Sequence, residues 1–518
     1  MKKIYSLMFA GALLLSTTGC DIDILNPNES TNSTFWKTPD DLKAGVNGCY
    51  SNLYKESGWM RWLSFRYDLT SDEGWSSSPW IELGDWTRFV YNNYNFYEGN
   101  NGHWENFYRG IFRCNQVITA ADKIEMDAAE KTKTVAQAYF LRGMWFMQVN
   151  LLWDKGAIIL QPEDANFVPK DASEQEMWAQ VESDFKKAVE GLPEVWQGDD
   201  KGRVTKGAAK AFLAKAYMQQ HKYQEAKDQL KWLIDREGTI YGLMKNRQDN
   251  FTDLNENNEE GVFEIQFADL NKGGTGNSAD MAFGFQRTQF FAPSGIGWGD
   301  GKARRWLVDE FLKEKRLDGK NDTRLYNSIL YKGFSKDFPE EPTKYYYFDN
   351  ADWNSGWGND VEDCYIKKYN TSYYRDREDY FARNNYRVIR YADVLLNYAE
   401  CIAETGGSIT EAAKYVDKVR QRAGLSKLAD SKWKDCLSSK DAFMKRLQIE
   451  RTLELCFEGW RWADLKRWGL LDTQAGIDEL KSRDRDFNNF VLGKHRRLPI
   501  PQYEIDNSNG QLTQNPKY

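Results

Sequence analysis

Residues 206–220 (KGAAKAFLAKAYMQQ) and 223–235 (YQEAKDQLKWLID) are two amphipathic helical segments parted only by His221 and Lys222. A link that short makes them antiparallel neighbours. Leu213, Ala214, Tyr217, Ala226 and Leu230 fall at the spacing of a tetratricopeptide repeat. The alanines let the two helices approach, and Tyr217 and Leu230 fill the seam. One such pair cannot bury its own apolar face, so further pairs must stack on it. Helix 134–152, with Gly143 and Phe146, and helix 173–190, with Val181, Phe185, Ala188 and Pro193, supply a second pair around a long insertion. A third is 386–404 with 410–423; Gly406 and Gly407 break the chain between them and Gly424 ends it. One continuous helix is expected over 441–468, its acids and bases three or four residues apart along one face. A short strand is expected at 262–267. Residues 57–110, 270–300 and 333–385 show no period and are rich in Gly, Ser, Asn, Trp and Tyr. Long loops of that kind tend to carry function. The expectation is a mostly α fold: helical repeats, long irregular loops and a few short strands.

The N-terminus indicates a compartment. Lys2 and Lys3 precede an apolar run over 4–15, then Ser16, Thr17, Thr18, Gly19 and Cys20. The run is too short to span a membrane. The order of charge, apolar stretch, small residues and Cys resembles a bacterial lipobox, with Thr17 where Leu is usual. The expectation is a signal peptide over 1–19 and lipidation of Cys20, fixing the protein to a membrane surface through acyl chains such as palmitate. Asp21 and Asp23 resemble the surface-export signals of some Gram-negative lipoproteins. The remaining cysteines, at 49, 114, 364, 401, 436 and 456, show no CxxC spacing and are expected to be core thiols. With 77 acidic and 70 basic residues the charge is mildly negative and mixed, which argues against a nucleic-acid partner.

Several blocks together resemble the SusD/RagB family of outer-membrane nutrient-binding lipoproteins. They are RGIFRCNQVI at 109–118, AQAYFLRGMWFMQVNLLW at 136–153, GVFEIQF at 261–267 and RYADVLLNYAECIAE at 390–404, which leads into VDKVRQRAGL at 416–425. The most specific are IERTLELCFEGWRWADLKRWG at 449–469 and LPIPQYEIDNSNGQLTQNPKY at 498–518. Lys517 stands where the family commonly has Gly, and Ser508 where Pro is common. The resemblance implies a SusD-like fold for a single domain over 20–518, with repeats at about 134–235 and 386–425 and a loop-rich ligand-binding part at about 57–110 and 270–385. It implies capture of oligosaccharide at the cell surface and delivery to a SusC-like TonB-dependent transporter in the outer membrane. RagB-like members are associated with peptides instead.

A pyranose offers an apolar C–H face and a rim of hydroxyls. Its site needs an aromatic ring beneath the face and polar groups around the rim. Family ligand residues are not held in a fixed motif, so candidates come from loop composition. One stretch, 71–89, contains Asp72, Trp75, Trp80, Asp85, Trp86 and Arg88. Another, 345–360, contains Tyr345, Tyr347, Asp349, Asn350, Trp353, Asn354 and Trp357. Trp298 is a third candidate. Trp36, Trp145, Trp178 and Trp232 lie on helices and are expected in the core.

No catalytic, metal or cofactor motif competes strongly. Three His at 103, 221 and 495 lie far apart, without HExxH, GxSxG or a Walker A sequence. Asp253, Asn255, Asn257 and Glu264 match four calcium-loop positions, but Asn258 replaces the required Gly and a strand follows. No two carboxylates stand out as a hydrolytic pair. The leading expectation is a glycan-capturing protein that is not an enzyme and has no cofactor; peptide capture and a surface glycoside hydrolase are the alternatives.

Overall fold

The computed structural model describes residues 35–91, 102–163, 167–269, 284–342, 344–347, 353, 355–358 and 360–518. The leader, Cys20, Asp349, Asn350 and Asn354 lie outside them.

The N-terminal half contains helices α1 (Pro39–Ser51), α2 (Trp62–Leu69), α3 (Ile81–Arg88), α4 (Gly102–Ala121), α5 (Ala128–Trp153), α6 (Glu174–Gly191), α7 (Lys206–Gln219) and α8 (Tyr223–Ile234). From α4 to α8 each helix packs on the next. Side chains cap the starts: Ser173 and Glu176 form a capping box on α6, and Thr205 accepts from the Ala208 amide on α7. The close approach of α5 and α6 rests on Gly143, where a Cβ would stand 3.0 Å from Cβ of Asp184 and 3.2 Å from the Phe185 ring. Leu213, Ala214, Tyr217, Ala226 and Leu230 are all buried, as the repeat spacing required.

The C-terminal half adds α9 (Arg287–Phe291), α10 (Tyr391–Glu404), α11 (Ile409–Arg422), α12 (Lys440–Leu455) and α13 (Arg461–Arg467). Helix α10 packs on α8, so the α10–α11 pair continues the stack. Among the described residues, six short strands complete the frame. β1 (Gly74–Ser76), β3 (Gly301–Ala303), β5 (Cys364–Ile366) and β4 (Ile329–Leu330) form an antiparallel sheet in the order β1-β3-β5-β4. β2 (Gly261–Ile265), the expected strand, pairs antiparallel with β6 (Tyr386–Arg390).

Three expectations change. The segment 386–404 is not one helix: 386–390 is β6, and Arg390 turns inward there to meet buried acids before α10 begins. The expected helix over 441–468 breaks at Cys456–Trp460, where Phe457 and Gly459 have φ of 60° and 79°. That break lets the Phe457 amide donate to Glu73 at 3.1 Å and the Gly459 amide to Asp68 at 3.3 Å. Its acids are buried in ion pairs with other elements instead of lining one helix face. The stretch 57–110 is also less loop-like than its composition suggested, since it holds α2, α3 and the start of α4. All eight residues of α2 are buried, and a helix covered on every side shows no amphipathic period. Trp145 and Trp178 are core residues as expected, and Trp36 and Trp232 pack partly buried against that core.

Candidate functional site

Two short loops meet over β1 and β3. In the first, Ser76 Oγ donates to the Asp300 carbonyl at 2.6 Å and accepts from the Ser78 amide. The Trp80 amide donates in turn to Ser78 Oγ at 3.0 Å. This serine ladder carries Trp80 to the surface. In the second loop the Trp298 and Gly299 amides donate to the carbonyls of Gln289 and Ala292, each at 2.8 Å. The loop can close only with glycine: a Cβ on Gly297 would meet the Gln289 carbonyl at 2.5 Å, and Gly299 has φ of 71°.

Trp80 and Trp298 are 38% and 46% exposed, large values for tryptophan. Both rest on one bed of buried rings. Trp80 meets Trp62 at 5.2 Å between centroids; Trp62 meets Phe290 at 6.0 Å; Phe290 meets Trp298 at 4.6 Å. Half-buried Tyr380 closes on Trp298 at 5.6 Å. The Arg61 guanidinium lies among these rings, 4.8 Å from Phe290 and 5.3 Å from both Trp62 and Tyr380. Glu56 pairs with it at 2.8 Å. The bed fixes the exposed rings, so stacking on them costs little side-chain entropy.

The other expected residues divide sharply. Trp75, on β1, is half-buried, with its indole N–H on the Ala303 carbonyl at 3.2 Å and Lys302 4.9 Å from its ring. Asp85 and Arg88 pair at 3.4 Å, the arginine half-exposed at the edge of α3. Trp353 is half-buried, donating to Gly358, and exposed Tyr347 lies beside Arg377. Four expectations are corrected. Asp72 is fully buried and held by Arg461 through two 2.7 Å hydrogen bonds. Trp86 is fully buried under the Arg66 guanidinium and against Trp62. Tyr345 is buried and bonded to Asn370. Trp357 is buried, its indole N–H on the Ser294 carbonyl at 3.1 Å. These four support the loops from below and present no face to a ligand.

Sequence reasoning missed Arg61, Asp300 and Tyr380, since none stands in a recognisable motif and only folding brings them together. The chemistry of the remaining groups is quiet. Burial holds His103 and His495 down at about 3 and about 4, so neither is a base poised near neutrality. Asp253 accepts from Tyr373 and pairs with Arg383, and Glu264 accepts from the Asn257 amide, so the calcium-loop positions are otherwise engaged. Among the described residues no cluster of three His, Cys, Asp or Glu is placed to hold a metal. A cleft of about 670 Å³ opens beside Trp196 on the repeat side. Two of its polar groups are already engaged by residues outside its lining, Asn257 by Gln266 and Arg203 by Asp200 and Asn47.

The sequence profile of the SusD family matches residues 259–518, half of the chain. The chain belongs to the SusD family. A second profile, described as starch-binding associating with outer membrane, matches 23–218. SusD-like protein P2 of Formosa agariphila is 26% identical over the full length of both chains. Among solved structures, a SusD superfamily protein of Bacteroides vulgatus superposes with a TM-score of 0.80 at 25% identity, over 94% of this chain and 100% of that one. A laminarin-binding SusD-like protein gives 0.74 at 25% identity, over 93% and 100%. Surface glycan-binding protein A of Bacteroides thetaiotaomicron, solved with laminarihexaose, gives 0.73 at 23% identity over 92% and 99%, a likeness of fold.

Proposed function

We propose that this chain is a cell-surface lipoprotein that binds glycan on the Trp80–Trp298 face and delivers it to a SusC-like TonB-dependent transporter in the outer membrane. The observation that carries the reading is the pair of exposed indoles fixed on one ring bed, with Asp300 pinned at the junction of the loops that carry them. Pyranose faces stack on such rings while hydroxyls take the rim. Family membership and the laminarin-binding relative support it, and the lipobox-like leader with Cys20 supports the anchor. Exposed tryptophan faces favour sugar over peptide. His103 and His495, held neutral by burial, agree with a protein that does no chemistry on its ligand.

Binding is tested with the soluble 21–518 chain on a polysaccharide panel by affinity electrophoresis and calorimetry. The expected result is binding to at least one glycan, weakened at least tenfold, or about 1.4 kcal/mol, by Trp80→Ala and by Trp298→Ala. Normal binding by both folded variants would sink the site; no glycan bound, with oligopeptides bound instead, would sink the sugar reading. Labelled palmitate should enter the full-length chain and be lost with Cys20→Ala. Co-purification with a TonB-dependent transporter from solubilised outer membrane tests the delivery step.

A further inference from the structure

Asp300 sits where the two loops that carry the exposed rings meet. Its amide donates to Phe290 and its carbonyl accepts from Ser76, which pins the residue at the junction of the two loops. Its carboxyl hydrogen-bonds Ser78, two residues before Trp80, and its field reaches the Tyr380 hydroxyl beside Trp298. Cations near the rings are answered by their own acids: Arg61 by Glu56 at 2.8 Å, Arg88 by Asp85 at 3.4 Å and Lys302 by Asp363 at 2.6 Å. Asp300 has no such answer, forming no ion pair among the described residues. Asp300 is mostly buried, and burial raises its carboxyl above the ordinary value. A half-desolvated carboxylate without a cation is an expense the fold does not need, because a serine or asparagine could hold the same loop junction.

We propose that Asp300 is the specificity determinant of this face, accepting hydroxyl hydrogen bonds from uncharged glycans and rejecting polyanionic ones. The proposal rests on the reading of the Trp80–Trp298 face as a glycan site. A sugar hydroxyl donating to a carboxylate makes a charge-assisted hydrogen bond, stronger than a neutral one. A uronate carboxylate or a sulfate ester on the same ring would face Asp300 as a like charge in a partly dry setting, where repulsion is poorly screened. Rejection of the wrong polymer is then built into the group that binds the right one.

The test uses the soluble chain with laminarin, xyloglucan and galactomannan as neutral probes, and polygalacturonate, alginate and carrageenan as polyanions, at low and physiological salt. The wild type should bind at least one neutral polymer and no polyanion. Asp300→Asn should weaken the neutral ligand about tenfold and bring polyanion binding up towards it. A wild type that binds a polyanion as well as or better than every neutral polymer, with that binding lost in Trp80→Ala, would overturn the charge inference and leave the glycan site standing. A wild type that binds none of the six would remove the glycan reading and this inference with it. A folded Asp300→Asn that matches the wild type on all six would overturn the role of Asp300 alone.

Discussion

At the scale of single residues, Lys517 is a departure with a measurable cost. It replaces the Gly common in the family, and its φ is 70°, a left-handed backbone that an L side chain resists. Its ammonium recovers part of that by donating to the Leu492 carbonyl at 2.6 Å. Lys517→Gly should therefore stabilise the chain by about 1 kcal/mol, read as a raised denaturation midpoint. The cysteines make a second test. Cys49, Cys114, Cys364, Cys401 and Cys456 are buried free thiols, with only Cys436 partly accessible. Burial pushes the Cys364 thiol up to about 12 and raises those of Cys401 and Cys436 as well. In the native 21–518 chain a maleimide should label Cys436 slowly and the other five only after unfolding, as intact-mass spectrometry would show.

Among the elements, α12 and the break after it decide most. Glu454 is fully buried and faces Arg247 at 3.3 Å, Arg390 at 3.0 Å, Arg324 at 3.4 Å and Arg422 at 2.5 Å. Glu458 takes Arg390 at 2.8 Å and Lys368 at 2.7 Å. Removing one acid leaves several buried cations under-compensated, so Glu454→Gln should cost about 3–5 kcal/mol in urea unfolding. Acid acts in the same direction. Burial alone would raise Glu450 and Glu458, but the surrounding Arg and Lys side chains win and hold both at about 2, below the ordinary 4.5. Their contribution is complete above about 4.5 and is lost as pH falls towards 2. Circular dichroism should show an acid transition in that window, and Glu458→Gln should make it shallower. The one helix expected over this region was misjudged because acids at i, i+4 spacing suit an exposed ion-paired face equally well; only their partners on distant elements require the break at Phe457.

Across the whole molecule, the two stretches matched by separate family profiles are tied by buried charge. Asp68 meets Arg287 at 2.5 Å, Asp72 meets Arg461 at 2.7 Å and Lys215 meets Asp393 at 2.6 Å. The Trp153 indole donates to the Pro499 carbonyl at 2.9 Å. A piece ending at 258 would leave Asp68, Asp72 and Lys215 without partners in a dry interior. Such a piece should fail to fold, and the whole 21–518 chain should unfold in one calorimetric transition. Two resolved transitions, or a folded 21–258 piece, would contradict this. The proposed ligand face depends on the same ties, since Asp72, Glu73 and Arg287 underlie the loops that raise Trp80 and Trp298.

The sequence by itself determined the helix pairs, the strand at the start of GVFEIQF and the family blocks. Those signals are local: a period of 3.6 or 2, a short link, a run of specific residues. It also pointed to the stretch 71–89 and to Trp298, which supply the two exposed rings of the candidate face, whereas the stretch 345–360 supplies none of them. The tertiary structure alone decided which aromatics reach the surface. Trp80 and Trp86 share one stretch and one composition, yet one is exposed and the other lies under Arg66. Burial is set by what packs against a ring from hundreds of residues away, and spacing along the chain does not encode that. For the same reason Asp300, Tyr380 and Arg61 became neighbours only when the loops closed over β1 and β3.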